Sequence, residues 1–285
     1  MNGDSEPTVR VVTKAHFGQW AVSAVGLLLV ILALRSVVTN PHFEWGTVGS
    51  YIVSPIILEG VAKTLEFTAI GMTIGIAIGI LVALMRLSDN FLLRTISAVY
   101  VAAFRGTPLL VQLLFWYNIA ALYPTLVFGV PFGPALWTGS ANTLITPLSA
   151  AMLGLGLNEG AYMAEIVRGG MLGVDRGQRD AALSLGMTRL QIVTQIVLPQ
   201  AMRLIIPPTG NQVISMLKST SLISILAITE LLYTAQLIYS RTFQTIPLLI
   251  VASIWYLVFT SVLSVIQSFL ERRAGRGFTG GARIG

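Results

Sequence analysis

Charge in this chain is confined to a few short stretches, and the segments between them are apolar for about 20 residues or more, the length a helix needs to cross a bilayer. The first such run is Trp20 to Val38; others extend from about Lys63 to Leu87, Thr95 to Leu122, Thr146 to Leu172, Ile192 to Leu217 and Ile246 to Leu270. Inside hydrocarbon a backbone must satisfy its own N–H and C=O groups, so runs of this length predict helices. The composition agrees. Only 11% of residues are charged and 54% are hydrophobic, whereas soluble domains carry about 25% charged residues. The expected fold class is therefore all-α integral membrane, with about six transmembrane helices.

The distribution of Lys and Arg sets the expected topology. Arg10, Lys14, Arg86, Arg94, Arg176, Arg179, Arg189, Arg272, Arg273, Arg276 and Arg283 fall on one side; Arg35, Lys63, Lys218 and Arg241 fall on the other, and Arg105, Arg168 and Arg203 lie within runs. The positive-inside rule then places both termini in the cytoplasm. The net charge of +6 is explained by this asymmetry, so nucleic acid is not an expected partner. The first run is longer than the apolar core of a secretory signal, and Ser36 to Thr39 is a poor cleavage site, so it reads as an uncleaved span. Residues 1–57 then comprise a cytoplasmic tail, the first span and an outer loop; residues 58–271 form the transmembrane body, with a polar cytoplasmic segment at about 175–190; residues 272–285 are a cytoplasmic tail. Residues 123–145, rich in Pro, Gly and Trp and free of charge, read as an outer loop, and 218–245 as an outer-side helix.

Zero cysteines exclude disulfides, thiolate metal sites and cysteine nucleophiles. His16 and His42 lie near opposite ends of the first run, which argues against a His-rich metal site. Gly71, Gly75 and Gly79 recur every fourth residue, so on a helix they form one small-residue seam suited to close packing. Ionisable groups at bilayer depth are costly and face cavities or each other. Glu165 and Arg168, three apart, share a helix face and read equally as an internal ion pair or as part of a substrate path or gate. Arg105-Gly106-Thr107-Pro108 is an unusual group for an apolar helix, because Pro108 disfavours helical backbone at Thr107 and exposes backbone groups.

The polar stretch between the fourth and fifth runs has its own pattern: Asp180-Ala181-Ala182, three residues, Gly186, nine residues, then Ile196-Val197-Leu198-Pro199. The first part suits a short helix whose alanines permit close seating in a groove. Gly186 can take the left-handed conformation that ends a helix, and Pro199 is expected near the start of the next span, where a missing N–H costs little. Together with Gly177, this stretch resembles the EAA coupling loop of ABC importer permeases, with Asp180 where that family usually has Glu. The segment Ala161 to Gly170, Arg105 to Leu110, Leu198-Pro199-Gln200-Ala201, Ile206-Pro207-Pro208 with Asn211-Gln212, and Lys218 to Leu222 look like the polar amino acid branch, over about residues 58–270.

The resemblance implies a type I importer core of five helices plus an extra N-terminal helix, in a bacterial inner membrane. It implies a transport subunit rather than an enzyme. It also implies ABC ATPase subunits docking at Gly177, Asp180, Ala181, Ala182, Gly186 and Pro199, a second permease subunit, identical or homologous, and an extracytoplasmic amino acid-binding protein. An amino acid needs a cation for its carboxylate and an acid for its ammonium; Arg105 with Glu159 or Glu165 supplies both, and Thr107, Arg168, Asn211 and Gln212 are further candidates for the path. No cofactor is expected in this chain, with ATP and Mg on the partner ATPase: Lys218-Ser219-Thr220 mimics the end of a phosphate loop, but the glycines of that loop are missing. An ion-coupled secondary transporter or channel is the alternative; it would explain the buried charges but not the docking motif.

Overall fold

The structure, a computed structural model, describes residues 17–130 and 133–275. The tail residues 1–16 and 276–285, including Arg10, Lys14, Arg276 and Arg283 expected in the cytoplasm, lie outside the described residues. The chain divides into two compact units, Met1–Gly46 and Thr47–Gly285. In the first, α1 (Phe17–Thr39) is apolar on every side, with its window from Trp20 wholly unburied. A helix without a polar stripe has no water-facing side, as expected of one surrounded by lipid or by other apolar chains. After it, Trp45 donates its indole N–H to the Val37 carbonyl at 3.1 Å and stacks on Phe43.

The stretch read as an outer loop is in fact partly helical. It holds α2 (Trp45–Tyr51) and the start of α3 (Pro55–Leu87), whose first turn uses Pro55 where a missing N–H is free of cost. The second unit is built around α3 and α7 (Pro147–Leu172). In lipid, burying apolar surface gives little net drive, so helices associate through close packing. The glycines provide it. A Cβ at Gly75 would lie 2.4 Å from Glu159 Cγ and one at Gly79 2.4 Å from Met163 Cβ; reciprocally, one at Gly156 would lie 2.4 Å from Ile74 Cγ2 and one at Gly160 2.6 Å from Ile78 Cγ2. The expected packing seam thus has a matching seam on α7.

The third run is not one straight span. It divides into α4 (Phe91–Gly106) and α5 (Leu109–Tyr117), bent by 105°. Pro108 drives Thr107 to an extended backbone, φ −116° and ψ 144°, which no helix continues. The bend frees carbonyls, and the Gln112 amide donates to those of Phe104 and Thr107 at 2.9 and 3.1 Å. Residues 123–145 are not all loop either. Strands β1 (Thr125–Gly129) and β2 (Ala135–Ser140) pair antiparallel, followed by the single turn α6 (Ala141–Leu144), so the described residues are all-α except for this hairpin.

Beyond α7 come α8 (Arg176–Ser184), the short α9 (Arg189–Gln191), α10 (Leu198–Ser219), α11 (Leu231–Thr242) and α12 (Thr245–Gly275). Pro199 lies in the first turn of α10, near the start of the fifth span as expected, yet helical backbone precedes it. A continuous helical path begins at Arg189 and reaches Leu226, and Pro199 sits inside it. Its ring and absent N–H disrupt the bond to the preceding turn, and the backbone widens to a π turn over Ile192–Val197, where the Leu198 N–H reaches the Val193 carbonyl. Among the described residues four helices are long and apolar enough to cross a membrane, or five with the bent pair α4–α5 counted as one crossing. The remaining long helix, α7, is about 39 Å in length, but is too rich in Gly and polar residues to match them in hydropathy.

Glu230 caps α11 from a fully buried position. Its carboxylate accepts from the Tyr233 N–H at 2.7 Å and the Tyr256 hydroxyl at 2.9 Å, while Thr64 receives the Leu231 N–H at 3.1 Å. This one cluster ties α3, α11 and α12 together.

Candidate functional site

The α4–α5 elbow, α7 and α10 enclose a cavity of about 460 Å³, within the size range of small-molecule sites. The elbow supplies Arg105 and Thr107, α7 supplies Asn158, Glu159 and Tyr162, and α10 supplies Gln212, Ser215 and Ser219. The spacing explains the lining: 158, 159 and 162 share one helix face, as do 212, 215 and 219.

Charge is placed asymmetrically on the two sides. Glu159 is 5% exposed, and its Oε1 has no hydrogen-bond partner. Only Gln212 sits against its carboxylate. A buried acid so poorly partnered is costly unless something else meets it. Opposite in character, Arg105 lines the same cavity with its guanidinium over the Tyr162 ring at 5.2 Å from its centroid, a cation–π arrangement. Thr107 lines the cavity, but its hydroxyl is engaged in the elbow: it donates to the Ala103 carbonyl and accepts from Gln112, both at 2.8 Å.

The other candidates are placed differently. Glu165 and Arg168 do not line this cavity. Glu165 accepts from Arg168 at 2.7 Å and faces Arg86 at 3.4 Å, which makes a three-residue charge cluster where α7 meets the end of α3. Asn211 is exposed, pointing away from the cavity its neighbour Gln212 lines. Asn158, Ser215 and Ser219 were not singled out as path residues; the signal for them was their helical spacing from Glu159 and Gln212.

At the far end of α7 lies the second element. Three residues after α7 ends, α8 begins, shorter than the polar stretch 175–190. Gly177, Asp180 and Ala181 are exposed, whereas Ala182 is buried among Val174, Ile192, Val197, Ala201 and Ile205. Gly186 ends the helix with φ +76°, and two bonds close the turn: Gly186 N–H to the Leu183 carbonyl at 2.9 Å and Met187 N–H to the Ala182 carbonyl at 3.1 Å. This is a Schellman end, and it depends on a residue without a Cβ. Arg179, missed in the sequence, donates from its guanidinium to the Met171 carbonyl and fastens α8 to the last turn of α7. Around this scaffold Leu183 and Leu185 stand 54% and 83% exposed, an apolar surface on an otherwise polar helix.

Residues 75–276 match the family described as binding-protein-dependent transport system inner membrane component. The chain belongs to that family. The arginine transport system permease protein ArgU of Corynebacterium glutamicum is 39% identical over 266 residues, 93% of this chain and 82% of that one. The glutamine transport system permease protein GlnP of Escherichia coli is 34% identical over 233 residues, 81% of this chain and 98% of that one. Among solved structures, one described as an amino acid ABC transporter with histidines aligns with a TM-score of 0.65 and 35% identity, covering 77% of this chain and 94% of the other. This inner membrane component is thus the multi-pass permease subunit of an ABC importer, a transport subunit rather than an enzyme. Its family works with ATPase and substrate-binding partners, and the reading as a secondary transporter or channel is not favoured by any of these relatives.

Proposed function

We propose that this permease subunit carries a polar amino acid through the cavity between the α4–α5 elbow, α7 and α10. The observation that carries the reading is the buried Glu159 carboxylate, one oxygen of which has no partner, in the same cavity as Arg105. Glu159 receives the cargo's ammonium and Arg105 its carboxylate, with Asn158, Gln212, Ser215 and Ser219 offering hydrogen bonds to the side chain. The relatives named for arginine and glutamine support a cargo of this class.

Two such permease subunits, identical or homologous, pair about a two-fold axis, and an extracytoplasmic binding protein delivers the cargo to them. ABC ATPase subunits, which hold ATP and Mg, receive α8 through Asp180, Ala181 and the exposed Leu183 and Leu185, while Gly177, Ala182, Gly186 and Pro199 shape the element. Closure of the ATPase pair moves α8 and converts the cavity between outward and inward access. Both termini face the cytoplasm, as the basic residues direct.

The test is uptake of radiolabelled amino acids into proteoliposomes holding the assembled transporter and its binding protein. Arginine, glutamine and histidine compete in the expected result, and Arg105→Gln and Glu159→Gln each abolish uptake. Full uptake by both variants would remove the cavity from the path.

A further inference from the structure

The hairpin β1–β2 is not absorbed by the transport reading. Its register pairs Phe128 with Trp137 and Leu126 with Gly139 on one face, and Val127 with Thr138 and Thr125 with Ser140 on the other. One face is therefore aromatic and aliphatic; the other carries three hydroxyl side chains beside Val127, and Leu136 falls at the register shift between the pairs. Trp137 lies flat along its own face, over Gly139: a Cβ there would sit 2.4 Å from Trp137 Cη2. Phe128 is 78% exposed, and Trp137, half covered by its own hairpin, 48%.

Charge is absent from every residue between Arg105 and Glu159, so the hairpin and both of its flanks are neutral. The exposed apolar surface continues on each side, through Leu122 and Tyr123 before it and Leu144 and Leu148 after it, the last on α7 itself. A lone two-stranded hairpin is marginal in water. Each strand also keeps one unpaired edge, which the hydrocarbon core does not tolerate. The headgroup region meets both conditions. It supplies water and polar groups to the edges, and acyl chains to an apolar face, and it is where Trp and Tyr concentrate.

We propose that β1–β2 is a lipid-binding element that lies in the headgroup region, with Leu126, Phe128 and Trp137 turned to the acyl chains and Thr125, Thr138 and Ser140 to water. It sits at the opposite end of α7 from α8. It fixes the height and tilt of α7, and with it one wall of the cavity, against the bilayer. The partner is the lipid surface itself.

The chain has no cysteine, so single-site labelling needs no prior substitution. Phe128→Cys and Thr138→Cys, each labelled with a polarity-sensitive fluorophore, are compared in proteoliposomes of the assembled transporter, with Trp137→Cys as a second apolar-face site should Phe128→Cys not assemble. The expected result is alternation. The label at 128 or 137 is quenched by brominated acyl chains at a depth of about 5–10 Å into the headgroup–acyl boundary, and the label at 138 is quenched by aqueous iodide. Equal iodide quenching on both faces would overturn the proposal. So would protection of the apolar face that appears only when binding protein is added, which would make the hairpin a protein-docking surface.

Discussion

Gln112 and Asn158 meet at 3.2 Å, and both donate to the carbonyl of Phe104, at 2.9 and 3.0 Å. One residue is on α5 and the other on α7, so the elbow that carries Arg105 is bolted to the helix that carries Glu159. Gln112 is also the donor to the Thr107 carbonyl and hydroxyl. Gln112→Leu would keep the side-chain size and remove the hydrogen bond to the Thr107 carbonyl, a net loss of about 0.5–1.5 kcal/mol for a part-buried bond. The expected outcome is a lower melting temperature in detergent together with weaker cargo binding. An unchanged melting curve would show that the bend holds itself.

Glu159→Gln separates stability from transport. The buried carboxylate meets only Gln212, so a neutral amide of the same shape does not lower the melting temperature. Cargo affinity falls at least about tenfold, or ~1.4 kcal/mol, as measured by scintillation proximity binding to the purified complex. Wild-type affinity in this variant would mean that the ammonium is held elsewhere.

Gly186→Val places a β-branched side chain at φ +76°. The left-handed conformation costs such a residue roughly 1–2 kcal/mol or more, and the Schellman end opens. Space is not the obstacle, since nothing lies within 4 Å of a Cβ there. The variant inserts normally, but ATP hydrolysis no longer drives uptake; coupled transport at the wild-type ratio would refute the role of this turn.

The seam between α3 and α7 gives a paired test on one helix. At Gly160 a Cβ would lie 2.6 Å from Ile78 Cγ2 and 2.8 Å from the Tyr100 hydroxyl, whereas at Gly169 nothing lies within 4 Å. Gly160→Leu is expected to cost about 1–3 kcal/mol through overpacking, and Gly169→Leu close to none. Equal melting temperatures for the two would show that α3 and α7 are not held at this distance.

What the sequence revealed was what depends on local chemistry. Apolar runs identified the membrane helices, and the spacing from Asp180 to Gly186 identified both the short helix and the glycine that ends it. What it hid depends on direction. Hydropathy summed along Thr95 to Leu122 has no angle in it, so the turn at Thr107 passed as one span, although Pro108 was visible. Pro199 was legible as a residue near the start of the run from Ile192, but the wider π turn before it was not, because that depends on Arg189 to Val197 being helical already. The pair Asn211 and Gln212 shows the same limit in the site: adjacent residues lie about 100° apart around a helix, and only one of them lines the cavity. The hairpin was missed because residues 123–145 are rich in Pro and Gly, which reads as loop, and its apolar face is not buried in the protein.

Glu159 and Met171 are twelve positions apart on a single helix, about 18 Å along its axis, and the Met171 carbonyl is the point that Arg179 grips. Between the end of α7 and the start of α8 only Gly173, Val174 and Asp175 intervene, and Val174 is itself packed under α8. Such a joint has almost no slack. A push on α8 therefore arrives at the cavity wall as displacement of a whole shaft, and does so without a chain of side-chain rearrangements in between. Under the proposed function, work done at α8 and selectivity exercised at the cavity are, mechanically, two ends of the same lever.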